Sequence, residues 1–222
     1  MKLRIVTALL LALPLAAVAK NDPPPLADVK TYPAQETHDN EKVTIAADPF
    51  DTRARANFFR IDYVGHSILP IRVIIRNDSD HPLSLSDVRI QFEPAHGARL
   101  PAAFPDEINR RVFHIKNPTT IRKSPFPSFS TPVDKKILQD DQDFSLKATT
   151  IAPHSTVSGF LFYDIDNIDD DPPLKGADLY IKMIRAADTK AELFPFTLSF
   201  DKYLAAKPKA ETKTDTKDAE KK

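Results

Sequence analysis

The 222-residue chain has no cysteine, no tryptophan and only four glycines. Without cysteine there is no disulfide framework, thiolate zinc site, iron–sulfur cluster or cysteine nucleophile. The closest glycines, Gly159 and Gly176, stand 17 positions apart, which excludes both the G-x-G-x-x-G dinucleotide loop and the G-x-x-x-x-G-K phosphate loop. A surplus of one charge is missing too, because 31 basic residues balance 31 acidic ones. Nothing therefore marks a nucleic-acid surface, which needs clustered Lys and Arg against phosphates. No apolar run reaches the roughly 20 residues that a bilayer-spanning helix takes.

What is present begins with the parts of a secretory signal. Lys2 and Arg4 supply positive charge, Ile5 to Leu15 form a short apolar run, and Ala17-Val18-Ala19 has the form of a cleavage site. Residues 1–19 are read as a signal peptide, and the protein is expected in the periplasm or outside the cell. Cleavage there removes two basic residues and no acidic ones, leaving 29 against 31 and a formal charge of −2. An exported domain without cysteine has to hold itself together by burying a core.

Residues 20–40 open with Pro23-Pro24-Pro25 and carry few large apolar side chains, the composition of an extended leader or linker. From Ala205 to Lys222 the chain has nothing larger than Ala among its aliphatic residues and no aromatic, with six lysines against four acids. Such a segment cannot bury enough surface to offset its chain entropy, and a disordered charged tail over 205–222 is expected.

Between these ends the hydrophobic period is two. Phe59, Ile61 and Tyr63 alternate with Arg60 and Asp62; Leu69, Ile71, Val73 and Ile75 with Arg72 and Arg76; Val88, Ile90 and Phe92 with Arg89 and Gln91. Leu179, Ile181 and Met183, and Phe194 to Phe200, repeat the pattern, and 42–47, 144–151 and 157–165 read as further strands. Asn77 to Pro82 makes a turn from Asn, Asp and Pro where glycine is scarce. The middle differs: Pro105-Asp106-Glu107 opens a short helix, 117–132 is rich in proline, and 134–139 suggests a second helix. The expected fold is all-β, an immunoglobulin-like antiparallel β-sandwich of about eight strands over 41–204, with a helical and Pro-rich insertion at 94–142.

Two phrases carry a resemblance. Leu69-Pro70-Ile71-Arg72-Val73-Ile74-Ile75-Arg76-Asn77-Asp78-Ser79, followed later by Ile151-Ala152-Pro153-His154-Ser155-Thr156-Val157-Ser158-Gly159-Phe160-Leu161-Phe162-Tyr163, resembles exported bacterial immunoglobulin-like domains of the telokin-like kind, many of unknown function. The resemblance implies a fold, an envelope location and a binding or assembly role, with no catalytic residues. The insertion departs from a minimal sandwich.

Candidate sites are few. Asp164, Asp166, Asp169, Asp170 and Asp171 offer the oxygen donors that Ca²⁺ takes. The helix–loop–helix calcium register fails, because Asp169 stands where glycine belongs and Lys175 where the bidentate acid belongs. Asp140, Asp141 and Asp143 form a second acidic run, with Lys135 and Lys136 near enough to neutralise it. The six histidines form no H-x-x-x-H or H-x-H pair, and no G-x-S-x-G elbow is present. For contact with a partner the candidates are Arg110 and Arg111 of the first helix and Phe126 and Phe129 of the Pro-rich loop, which either tuck under the sandwich or form a docking patch. The reading is a non-enzymatic interaction domain that needs no cofactor and binds an envelope protein or other envelope component through the insertion and an exposed sheet edge. A small-molecule or calcium module at 164–171 is the alternative.

Overall fold

The computed structural model describes residues 22–112 and 132–207. Eleven strands and three helices are present among them: β1 (Ala34–His38), β2 (Val43–Pro49), β3 (Ile68–Asn77), β4 (Leu83–Ser84), β5 (Arg89–Glu93), β6 (Leu100–Pro101), α1 (Pro105–Val112), α2 (Pro132–Phe144), β7 (Thr150–Ile151), β8 (Ser155–Asp164), β9 (Asp178–Lys182), β10 (Arg185–Ala186), β11 (Phe196–Ser199) and α3 (Phe200–Ala206). They build three antiparallel sheets, ordered β1-β2-β3-β8, β11-β9-β5-β6 and β10-β4-β7. The fold is mostly β with few helices, as an all-β sandwich requires.

The alternating strands put Ile45, Ile71, Val73, Ile75 and Tyr163 of the first sheet into one core with Ile90, Phe92, Leu179, Ile181, Phe196 and Leu198 of the second. Period-two alternation sends every other side chain to the same face, so the strands need only pair in register to assemble this core. β3 departs from alternation, since nine of its ten residues are buried. Its second face, shared with Phe160 and Phe162 of β8, meets an aromatic layer of Phe50, Phe58, Phe59 and Tyr63, to which α1 and α2 add Ile108 and Ile137. At its other end the same face is covered by Val29 and Tyr32 against Ile74, and the Arg72 guanidinium donates to the Pro24 carbonyl at 2.6 Å.

Four readings of the sequence change. The alternation at Phe59, Ile61 and Tyr63 is not a strand but a succession of turns, because the Arg60 amide donates to the Asp140 carboxylate at 3.0 Å instead of to a neighbouring strand. Over 144–151 only Thr150–Ile151 is strand, since Phe144 still belongs to α2, a longer helix than 134–139 suggests. The leader at 20–40 contains β1, paired along its whole length with β2, so the sheet begins before residue 41. Its small and polar side chains hid a strand held mainly through its backbone. Finally Phe194 is exposed, Phe200 opens α3, and α3 extends into the start of the tail. The rest of the tail, like residues 1–19, lies outside the described residues.

α3 is fastened where Tyr203 donates to Asp51 at 2.9 Å and accepts from Arg55 at 2.5 Å, while Lys207 reaches the other Asp51 oxygen at 2.7 Å. Gly159 sits where any Cβ would collide with the Leu146 backbone. The absence of a side chain there lets residues 145–146 lie beside β8, bridged to Phe160. The turn after β3 is organised by Asn77, which is fully buried. Its amide donates to the carbonyls of His81 and Ala152 at 2.8 and 3.2 Å, and its oxygen accepts from the amide and hydroxyl of Ser79 at 3.0 and 2.7 Å. Replacing Asn77 with Ala strands these buried groups, and urea unfolding should register a loss of about 2–3 kcal/mol; an unchanged midpoint would show that the turn holds without it.

Candidate functional site

The acidic loop does not gather into a metal cage. Asp164 and Asp166 both pair with Arg111 of α1, Asp164 at 3.7 Å. Asp170 lies 2.8 Å from the His96 ring and accepts the His96 amide, while Asp169 and Asp171 are exposed. Among the described residues no three His, Cys, Asp or Glu side chains converge as a metal ion needs. Asp164 and Asp166 converge on Arg111 and Asp170 on His96, so three of the five acids already have partners within the chain. Arg111, singled out for a partner, closes this loop, whereas Arg110 is exposed on α1. Phe126 and Phe129 lie outside the described residues. Millimolar calcium should leave the thermal midpoint where it is, and a rise of several degrees would reinstate the loop as a site.

The second acidic run is a tie between layers. Asp140, at 0% exposure, receives the Arg60 guanidinium at 2.7 Å, the Arg60 amide at 3.0 Å and the Tyr63 hydroxyl at 3.1 Å. Asp143 takes the other arm of Arg60 at 2.6 Å. The counter-ion is thus Arg60 rather than Lys135 or Lys136, which are exposed. Burial pushes the Asp140 carboxyl above the ordinary aspartate range, and the donors from Arg60 and Tyr63 draw it back only in part. The Tyr63 hydroxyl is pushed up by the same burial and by the Asp140 charge. Two histidines meet carboxylates at the turn after β3: His81 of that turn lies beside Asp188, and His154 lies beside Asp80 of the same turn.

The two long sides of the sandwich are closed in different ways. On the β1–β11 side, His38 stacks on Phe196 with ring centroids 3.7 Å apart. Its two ring nitrogens face Glu41 at 2.9 Å and Glu36 at 3.1 Å. Those carboxylates in turn accept the Phe194 and Thr197 amides at 2.8 and 2.5 Å, so the edges of the two large sheets are stitched together. The stack and the two amide–carboxylate bonds cross this seam, with His38 holding both carboxylates in place.

The opposite side stands open. β4 and β7 pair through Leu83↔Ile151 and Ser84↔Thr150, and the Leu85 amide still donates to the Thr149 carbonyl at 2.9 Å. Beyond that bond the two chains separate, residues 86–91 following the second sheet and 145–148 following β8. A groove of ≈ 500 Å³ lies between them, floored by Leu85, Ile90, Leu146 and Leu161 and rimmed by Arg89 and Lys147. Its size falls in the range of ligand clefts. Among the described residues neither Lys147 nor Ala148 makes a backbone hydrogen bond. At the far end the Ala103 amide donates to Phe162 at 2.7 Å and closes the groove. The sequence signal for one wall was legible in the alternation of 88–92. The other wall was hidden because 146–149 reads as a strand like any other.

In the 94–142 insertion, the exposed large apolar side chains among the described residues are Phe104 and Leu138. No helix among the described residues is long and apolar enough to cross a membrane. No protein-family model matches the chain, and neither a curated protein nor a solved structure matches it.

Because the folded Asp140 carboxyl titrates above its unfolded value, its contribution to stability is fully present below about pH 3.9 and is lost as pH rises through the folded pKa. Asp140→Asn cannot ionise. The stability of the wild type relative to that variant should therefore fall with rising pH across this window in denaturant titrations, and a difference that is flat or grows with pH would contradict the assignment.

Proposed function

We propose that the chain is an exported, non-enzymatic binding domain of the cell envelope, immunoglobulin-like in fold, which holds an extended segment of a protein partner in the groove between 86–91 and 145–149. The observation that carries the reading is the split between the two chains. It leaves backbone donors and acceptors of Lys147 and Ala148 unpaired above an apolar floor. An extended peptide satisfies both features at once, main chain to main chain and alternate side chains to the floor.

The immunoglobulin-like reading is supported by connectivity. β2, β3 and β8 are neighbours in one sheet and β11, β9 and β5 in the other, the A-B-E and G-F-C order of that fold, with β1 added outside β2 and the helical segment standing where strand D would run. Export is supported by the charged, apolar and Ala-x-Ala pattern of residues 1–19, and it suits a binding role outside the cytoplasm.

The groove can be blocked. Ala148 is half-buried in its wall, and Ala148→Trp fills the space with an indole. Peptides recovered from a random heptapeptide display library on the wild-type protein should lose at least about tenfold in affinity for Ala148→Trp, measured by biolayer interferometry beside a thermal melt that reports folding. If no recovered peptide is sensitive to this substitution in a folded variant, the groove is not the binding site.

A further inference from the structure

We infer that the segment held in this groove is acidic, with an Asp or Glu side chain seated between Arg89 and Lys147. The inference rests on the groove reading above and adds the chemistry of its occupant. Arg89 is exposed on the rim of the groove, and in the β5–β9 register it stands directly opposite Lys182. Like charges directly opposed on antiparallel strands repel one another. Nearby acids do not relieve them. Asp87 is held by Arg185 at 2.6 Å, and Glu93, at the far end of β5, by Arg99 at 3.0 Å. Arg76 and Arg185 of the sheets meet carboxylates, Arg76 meeting Asp78 at 2.6 Å, and Arg72 is satisfied by the Pro24 carbonyl, but Arg89 meets no carboxylate among the described residues within 4.0 Å.

On the facing wall Lys147 donates to the Gln142 carbonyl at 3.1 Å and stands 3.9 Å from Asp141. The other oxygen of Asp141 accepts the Ser145 hydroxyl at 2.7 Å. The Lys147 side chain remains 53% exposed. The residues lining the groove thus include two cations and no carboxylate. An entering acid would gain charge-assisted hydrogen bonds at the rim and screen the Arg89–Lys182 repulsion, while its apolar neighbours meet Leu85, Leu146 and Leu161. Basic segments would meet the opposite field.

The test uses the full chain and the same random heptapeptide library. Groove-binding peptides selected on the wild type should carry Asp or Glu, and exchanging that acid for its amide should weaken binding about tenfold. Arg89→Glu should turn the selection toward Lys- or Arg-bearing peptides, and Arg89→Gln should lose the acidic preference without reversing it. Arg89 is exposed, so both variants should melt with the wild type. Peptides that are displaced by Ala148→Trp but show no acidic preference, and whose affinity is indifferent to Arg89→Glu, overturn the acidic occupant while the groove stands. Recovery of no peptide sensitive to Ala148→Trp overturns both.

Discussion

The structure is organised around a strand that has to be buried twice. β3 presents Leu69, Ile71, Val73 and Ile75 to the core between the sheets, and Ile68 and Ile74 to the other side. A two-layer sandwich leaves the outer face of each sheet in water, and this sheet has an outer face too apolar for that. The segments at 22–32 and 50–63 and the helices α1 and α2 follow from covering it. Residues 22–32 lie over one end, and residues 50–63 with α1 and α2 build an aromatic layer over the other. Phe58, Phe59, Phe144 and Phe160 meet there in tilted and edge-to-face pairs with centroids 4.2–6.4 Å apart, the arrangement that ring quadrupoles favour.

The covering layer is fastened by ions rather than by covalent bonds. Arg60 ties the 50–63 segment to α2 through Asp140 and Asp143, Arg111 ties α1 to the end of β8, and Asp51 with Tyr203 and Lys207 ties α3 to the loop after β2. Each fastener joins groups far apart in sequence. The exposed members contribute little individually, as surface ion pairs do, whereas the enclosed Asp140 receives three donors and holds two layers in fixed register. In this way a chain with many charges and almost no net charge uses them as latches. The acidic loop and the paired arginines share one such latch, Arg111 with Asp164, and the second acidic run supplies another through Asp140 and Asp143.

The strands that face a core on one side only were legible, because 88–92 and 179–183 alternate as a half-buried strand must. Asn77 was legible as a structural residue from turn chemistry. What the linear pattern did not reveal depends on partners distant in sequence. Phe59, Ile61 and Tyr63 alternate as a strand would, yet their backbone is claimed by an aspartate 80 residues away. β1 has too little apolar content to announce itself and is recruited by pairing with β2. The groove belongs to neither of its walls alone: it arises where a ladder stops, and a stopping point leaves no mark in the local sequence.

The unequal closure of the two long sides has a mechanical consequence. On one side the sheet edges are stitched by His38, Glu36 and Glu41 over a stacked phenylalanine; on the other, only the bonds at Leu85 and Ala103 bracket the opening. Local openings begin where fewest buried contacts must be broken. Parting the sheets at the grooved side therefore breaks fewer contacts than parting them at the stitched one. The unpaired amides of Lys147 and Ala148 accordingly exchange ahead of those of β2 and β3, a gradient running across the sandwich rather than along its strands.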